Sequence, residues 1–208
     1  MLRYLIIGDS HVPKRATIVP KQILEKLEDL TISDLFENTF FTGDLIDYQE
    51  FIDFLNIKTK GNLFIVRGNM DYYYGNRDAP MYQKMQLSFS DNNIMTIGLT
   101  HGHQIASRGN HAQLESLAMD NNYNILISGH THKEEVFLTS KGILLLNPGS
   151  VTGAWSFLAS GNPSFIVLMI NEKTGEIYAI LYQMDKFSSK INELKILFLF
   201  KNSRILYK

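Results

Sequence analysis

The chain of 208 residues has 45% apolar and 20% charged residues and a formal net charge of −1, which is typical of a globular protein with one full core. This charge gives no electrostatic reason to expect nucleic acid or an anionic membrane as a partner, and we predict no nucleic-acid partner. The absence of cysteine excludes disulfides and suits a reducing compartment, so we expect a cytoplasmic protein. No apolar run approaches the roughly 20 residues that span a bilayer, and we expect no signal peptide at residues 1–7.

The first part of the chain alternates between predicted strands and predicted helices. Short apolar runs that end at glycine or threonine predict strands, whereas apolar residues three or four apart predict helices. In chain order we predict a strand at 2–7, a helix at 22–30, a strand at 39–42, a helix at 48–57 and a strand at 63–66. A polar, tyrosine-rich loop follows at 71–80.

The second part is mostly strands. We predict strands at 85–89 and 94–99 around a turn at Asp91-Asn92-Asn93, a helix at 113–119, and further strands at 125–127, 136–138, 143–146, 165–170, 177–182 and 194–200. Crossovers through helices favour parallel pairing, and hairpins favour antiparallel pairing. The prediction is therefore an α/β fold with a single domain over residues 1–208, a sandwich of two mixed β-sheets flanked by helices.

Residues that ligate metals follow many of these strands. Five of the six histidines lie in such stretches, which are Gly8-Asp9-Ser10-His11, Gly43-Asp44, Gly68-Asn69, His101-Gly102-His103, Gly129-His130-Thr131-His132 and Asn147-Pro148-Gly149. Sites in α/β sheets gather at the carboxyl ends of strands, so these side chains are expected to converge. Asp9 and His11 are two residues apart and would point the same way in an extended segment.

A mixture of carboxylate, imidazole and amide ligands suits manganese, zinc or iron better than calcium or magnesium alone. Two such ions about 3.5–4 Å apart form a clamp for in-line displacement at phosphorus, and a hydroxide that bridges them is the nucleophile near neutral pH. The sequence therefore predicts a dinuclear site for two divalent metal ions, with a phosphodiester as a candidate substrate.

In order and spacing, the motifs between residues 8 and 150 resemble those of the calcineurin-like metallophosphoesterase family. The resemblance implies a two-sheet sandwich with one metal held by Asp9, His11, Asp44 and His132. It implies a second metal held by Asp44, Asn69, His101 and His130, so that Asp44 bridges the two ions.

Other segments resemble one branch of the family, the small subunit of the retromer complex that sorts cargo from endosomes. With residues 8–13, they are 66–68, 101–104, 125–133, 147–155 and 163–165. This resemblance implies a scaffold that docks on a helical-solenoid subunit, reaches endosomal membranes only through partners, and receives regulators on an apolar patch, here aligned near Ile105 and Val167. Eukaryotic members of the branch carry Asn in place of Asp44 and Asp in place of Asn69, so this chain keeps the enzyme-type residues.

One position departs from many active relatives, which carry a histidine as general acid directly after the asparagine. Met70 stands there and cannot transfer a proton. His103 is the nearest substitute in the sequence and our candidate catalytic residue, although a role as an outer hydrogen-bond donor or a plain loop residue stays open. A general acid typically contributes 10²–10⁴-fold to the rate.

Two hypotheses follow. The overall resemblance ranks first a retromer-type sorting subunit, a protein-interaction scaffold with an intact two-metal site that serves endosomal or vesicular protein transport. Asp44 and Asn69 favour the alternative, an active metal-dependent phosphodiesterase or phosphatase. An exposed apolar patch would support the scaffold, since contiguous exposed apolar area usually has a role. An open, charged cleft beside the metal ligands would support the enzyme.

Overall fold

The computed structural model describes residues 1–90 and 93–208, and within them strands and helices follow the predicted order closely. The elements are β1 (Leu2–Ile7), α1 (Lys21–Thr31), β2 (Asn38–Phe41), α2 (Gln49–Ile57), β3 (Leu63–Ile65), α3 (Asn69–Tyr73), β4 (Tyr82–Ser88), β5 (Ile94–Thr100), α4 (His111–Asp120), β6 (Ile125–Ile127), β7 (Glu134–Leu138), β8 (Leu144–Pro148), β9 (Ser164–Ile170), β10 (Glu176–Met184), β11 (Ile191–Lys201) and β12 (Arg204–Tyr207).

The strands form two mixed sheets. The larger has the order β12-β11-β10-β9-β1-β2-β3, in which β1, β2 and β3 are parallel and the remaining pairs are antiparallel. The smaller has the order β4-β5-β6-β8-β7, with parallel pairs in its centre and antiparallel pairs at both edges. The predicted α/β class and the two-sheet sandwich are confirmed.

Helices cover the outer face of each sheet, so the central strands are buried on both sides. In β1, Tyr4 and Ile6 pack in the layer between the sheets, whereas Leu5 and Ile7 pack in the layer that α1 and α2 cover. Strands buried on both faces are continuous apolar runs rather than alternating ones, which explains the sequence Leu-Arg-Tyr-Leu-Ile-Ile of β1.

This double coverage overturns the predicted apolar patch. Val167 is 1% exposed and packs in the layer under α1 and α2, and Ile105 is 8% exposed and packs in the layer that includes Leu114 of α4. The two residues therefore belong to different core layers and form no exposed patch. The patch was implied by the resemblance, and the expectation was wrong because the layer with α1 and α2 covers Val167 and the layer with α4 covers Ile105.

Three local predictions also need correction or fall outside the described residues. The predicted loop at 71–80 begins within α3, a helix of five residues that is too short to show an apolar period. The C-terminal part contains a second strand, β12, which pairs with β11. The predicted turn at 91–93 includes two positions outside the described residues. No helix in the described part of the chain is long and apolar enough to cross a membrane.

Phe198 of β11 provides a test of the core between the sheets. Its side chain is 0% exposed, and removing such a ring costs about 3–5 kcal/mol. We expect Phe198→Ala to lower the free energy of unfolding by that amount in urea titrations. Phe187→Ala is the matched control because Phe187 is 87% exposed. Equal stabilities of the two variants would contradict the packing described here.

Candidate metal centre

Loops that follow several strands bring five predicted ligands into one buried cluster, here called the donor cluster, composed of Asp9, His11, Asp44, His101 and His132. It divides into two groups, Asp9 with His11 and His132, and Asp9 with Asp44 and His101. Within each group the ligand atoms lie within 4.8 Å of one another. Residues more than 120 positions apart in sequence therefore meet at one edge of the sheets.

The backbone reaches this arrangement through left-handed turns rather than through the extended segments that we predicted. The φ angles are 50° at Asp9, 50° at His11, 55° at Asp44, 68° at His130 and 58° at His132. Each such residue costs of order 1–3 kcal/mol, and such conformations cluster at functional sites. All five of these left-handed residues are candidate metal ligands.

Two glycines allow the loops to approach the carboxylates. A Cβ atom on Gly68 would overlap Oδ1 of Asp44, and one on Gly129 would overlap Oδ2 of Asp9. Any side chain at these positions would displace a carboxylate of the donor cluster, so the glycines are required for the close approach.

Backbone carbonyls fix the orientation of two imidazole rings. Nδ1 of His101 donates to the Thr42 carbonyl oxygen at 2.8 Å, and Nδ1 of His132 donates to the Ala154 carbonyl oxygen at 2.8 Å. In the neutral ring the other nitrogen, Nε2, then carries a lone pair. Such an outer hydrogen bond is the usual way in which proteins orient a metal-binding histidine.

These lone pairs face other acceptors. Nε2 of His101 lies 3.1 Å from Asn69 Oδ1 and 3.5 Å from Asp44 Oδ2. Nε2 of His132 lies 3.3 Å from Asp9 Oδ1 and 2.9 Å from Nε2 of His11. His11 Nε2 can donate to His132 Nε2 in one tautomer, whereas the contacts of His101 with Asp44 and of His132 with Asp9 bring a lone pair to a carboxylate oxygen. Two buried acceptors repel unless a proton or a cation lies between them. The donor types and their orientation therefore fit divalent metal ions.

The other predicted site residues lie close by but outside the two groups. Asn69 is linked through His101, whereas the ring of His130 lies 5.1 Å from that of His101 and its backbone N–H donates to Asp9 Oδ2 at 3.2 Å. His103 is half-buried with its ring 5.5 Å from that of His101, and its Nδ1 has no hydrogen-bond partner among the described residues.

Several supporting residues were not singled out from the sequence. Asp71 accepts hydrogen bonds from the backbone N–H groups of Asp44 at 2.7 Å, Ile46 at 2.9 Å and Gly68 at 2.9 Å. Ser150 donates to the Asp9 carbonyl oxygen at 2.7 Å. An acidic residue two positions after Asn69 was the available signal for Asp71, whereas a lone serine gave none.

Asn147 was considered as an orienting residue for a ligand histidine. It donates to the Gly129 carbonyl oxygen at 3.0 Å and to Thr131 Oγ1 at 2.9 Å. Asn147 therefore stabilises the loop that carries His130 and His132. These hydrogen bonds go to Gly129 and Thr131 and not to the histidine rings.

Burial controls the protonation of the cluster. It lowers the pKa of His11 to about 3, with the charge of Asp9 opposing the shift, and it lowers the pKa of His130 to about 3, aided by His101 and Arg108. Burial raises the pKa of Asp44 to about 6, against the attraction of His101. At neutral pH, His11 and His130 are neutral and can act as ligands.

Three arginines, here called the arginine rim, lie on separate loops around the donor cluster. They are Arg15, Arg67 and Arg108, and none forms an ion pair with a carboxylate in the described residues. Each contributes to lowering the pKa of a nearby histidine, respectively His11, His103 and His130. Three guanidinium groups therefore lie near the donor cluster although the whole chain is nearly neutral.

Asp71→Ala tests the support beneath Asp44. Removing the buried carboxylate leaves backbone N–H groups without acceptors, at about 1–3 kcal/mol, and frees the Asp44 loop. We expect a lower unfolding free energy and about 10–100-fold weaker Mn²⁺ binding in calorimetric titration. Asp78→Ala, in an exposed position nearby, is the matched control. Unchanged Mn²⁺ affinity in Asp71→Ala would refute this supporting role.

The comparisons with known proteins identify the family. Residues 2–173 match the calcineurin-like phosphoesterase superfamily domain. A probable metallophosphoesterase of Methanocaldococcus jannaschii is 31% identical over 147 residues, which cover 71% of this chain and 67% of that protein.

Solved structures of vacuolar protein sorting 29 (Vps29) are similar over nearly the whole chain, as the retromer-branch resemblance predicted. Vps29 of Cryptosporidium parvum has a TM-score of 0.80 and 29% identity, covering 95% of this chain and 98% of that one. Vps29 of Entamoeba histolytica complexed with Zn²⁺ has a TM-score of 0.75 and 30% identity, covering 93% and 99%. Motifs, fold and matched domain lead to one conclusion: the chain belongs to the calcineurin-like phosphoesterase superfamily.

Proposed function

We propose that this single-domain chain is a metal-dependent phosphodiesterase. The observation that carries the proposal is the buried donor cluster, in which imidazole lone pairs of His101 and His132 face carboxylate oxygens of Asp44 and Asp9. Asp9, His11, Asp44 and His132 would hold one divalent ion, and Asp44, Asn69, His101 and His130 would hold the other. Manganese, zinc and iron match this mixture of nitrogen and oxygen ligands.

On the sequence alone the scaffold ranks first. Two observations support ranking the enzyme above it. The residues of the predicted apolar patch, Ile105 and Val167, are buried. The arginine rim instead supplies three guanidinium groups near the donor cluster, as a phosphate ester requires.

Bound metal ions would supply Lewis acidity, polarising the phosphoryl oxygens and lowering the pKa of a water molecule. The residues of the chain position the ligand atoms. Asp9 belongs to both groups, and Asp44 of the second group also approaches the first, with Oδ2 3.4 Å from His11 Nε2 and 3.5 Å from His101 Nε2. Thr42 and Ala154 hold two rings in place before substrate arrives. This pre-orientation reduces the reorganisation needed in the transition state.

His103 is the proposed proton donor to the leaving group. It is half-buried beside His101, and Met70, which occupies the position of the usual acid, carries no transferable proton. Nδ1 of His103 is buried and has no hydrogen-bond partner in the described residues, so Nε2 would be the nitrogen that donates to the substrate.

Asp44→Asn tests the proposed activity. The substitution keeps the shape of the side chain but removes the bridging charge, so we expect hydrolysis of bis(p-nitrophenyl) phosphate with Mn²⁺ to fall more than about 100-fold. Asp47→Asn, with an exposed side chain three residues later, is the control and is expected to keep full activity. Absence of turnover in the wild-type protein, with Mn²⁺ bound, would exclude the phosphodiesterase.

His103→Gln tests the proton donor through the leaving group. A good leaving group such as p-nitrophenolate departs without a proton, whereas an alkoxide needs one. We expect His103→Gln to lower kcat by about 100-fold or more for an alkyl ester and only slightly for the p-nitrophenyl ester. Equal losses for both esters would assign His103 a structural role.

The likeness to Vps29 favours a second candidate, a retromer-type docking subunit that is cytoplasmic and reaches endosomes only through partners. Trp155 and Phe157 are 65% and 83% exposed beside the donor cluster and would contact a helical-solenoid subunit. This function predicts that a recombinant Vps29-binding solenoid subunit binds the wild-type chain at micromolar or lower Kd in calorimetry. Binding should weaken in Phe157→Ala but not in Phe187→Ala, and no detectable binding would reject it.

A further inference from the structure

One short segment links a candidate metal ligand to two arginines of the rim. The Ala154 carbonyl oxygen accepts from His132 Nδ1 at 2.8 Å. The next residue, Trp155, accepts through its carbonyl oxygen from Arg15 Nη1 at 3.1 Å. Oγ of Ser156 accepts from Arg108 Nη1 at 3.3 Å. Three consecutive residues therefore contact one candidate metal ligand and two guanidinium groups.

The two guanidinium groups are cations without an anionic partner. Their acceptors are a carbonyl and a hydroxyl, and no carboxylate in the described residues forms an ion pair with either. Each guanidinium has five N–H donors and uses one of them in these bonds, so a fork of donors remains. Both arginines are exposed, and the residues that accept their hydrogen bonds, Trp155 and Ser156, are neighbours in the chain. Both guanidinium groups are therefore available to one anion.

Aromatic rings project from the same segment. The buried side chains of Ala154 and Ser156 alternate with the exposed rings of Trp155 and Phe157, as in an extended strand. The ring centroids of Trp155 and Phe157 lie 4.9 Å apart at an interplanar angle of 61°. Exposed aromatic planes beside cations are the platform on which nucleobases stack.

We propose that Arg15, Arg108 and Trp155 form a nucleotide subsite, in which the arginines bind a second phosphate and the indole stacks on the base. The inference rests on the proposed function, because the metal centre would take the first phosphoryl group. The ligand class is a small nucleotide with two linked phosphates. A nucleic-acid polymer is disfavoured because the formal net charge of −1 supplies no long basic track.

Calorimetric titration of the Mn²⁺-loaded protein with ADP, AMP and pyrophosphate tests the subsite. We expect ADP to bind roughly tenfold or more tightly than AMP, since only ADP reaches both the metals and the arginines. Arg15→Gln and Arg108→Gln should each weaken ADP binding by about tenfold and leave AMP binding within about twofold. Trp155→Ala should weaken ADP binding by about tenfold and leave pyrophosphate binding unchanged.

Arg204→Gln, in the distant strand β12, is the control for general charge and should match the wild type. Mn²⁺ affinity and thermal unfolding of each variant establish that the fold and the metal centre are intact. Equal binding of AMP and ADP, or ADP binding that survives both arginine substitutions, would overturn the subsite, as would tighter binding of a single-stranded oligonucleotide than of ADP. Because binding is measured without turnover, an inactive protein that still binds ADP would refute only the phosphodiesterase.

Discussion

The donor cluster requires a positive charge at its centre, and much of the local structure serves that requirement. Nδ1 of His101 and Nδ1 of His132 donate to the carbonyl oxygens of Thr42 and Ala154. In the neutral rings the Nε2 atoms therefore carry lone pairs, and these face carboxylate oxygens. Without a cation, buried lone pairs opposite one another would destabilise the folded state. The arrangement is therefore stable only if protons or metal ions occupy the cluster, and metal ions can serve all of its acceptors together.

The fold supplies this geometry through loops rather than through strands. The parallel strands β1, β2 and β3 lead into the loops that carry Asp9, His11, Asp44 and Asn69, and strands β5 and β6 of the smaller sheet lead into those that carry His101, His130 and His132. Left-handed backbone at five candidate ligands turns the side chains inward, at a conformational cost. Hydrogen bonds offset this cost. Asp71 accepts from the backbone of the Asp44 loop, and Ser150 donates to the backbone of the Asp9 loop.

Much of the fold was predictable because its strands are short apolar runs bounded by glycine. The order of strands and helices and the convergence of Asp9, His11, Asp44, His101 and His132 followed from residue types alone. The exposure of Ile105 and Val167 was mispredicted, since a sequence pattern does not reveal which sheet faces the helices cover. Asp71 and the 154–156 segment were not recognised because their function lies in single hydrogen bonds between residues distant in the sequence.

The cationic rim adds a constraint that the bulk charge conceals. A net charge of −1 is a sum over the whole chain, so it does not reveal that three arginines without carboxylate partners in the described residues lie near the donor cluster. Metal ions in the donor cluster, together with the arginine rim, would favour an anionic phosphate ester as the proposed substrate, and the exposed aromatic rings would favour a planar group on that ester.

Anomalous diffraction from crystals grown with Mn²⁺ tests the central claim most directly. The account predicts two anomalous peaks, one on each side of Asp44, with Asp9, His11 and His132 around one and Asn69, His101 and His130 around the other. The account would be contradicted if Mn²⁺ is seen elsewhere in the crystal but neither peak appears beside Asp44, or if the peaks lie away from Asp44.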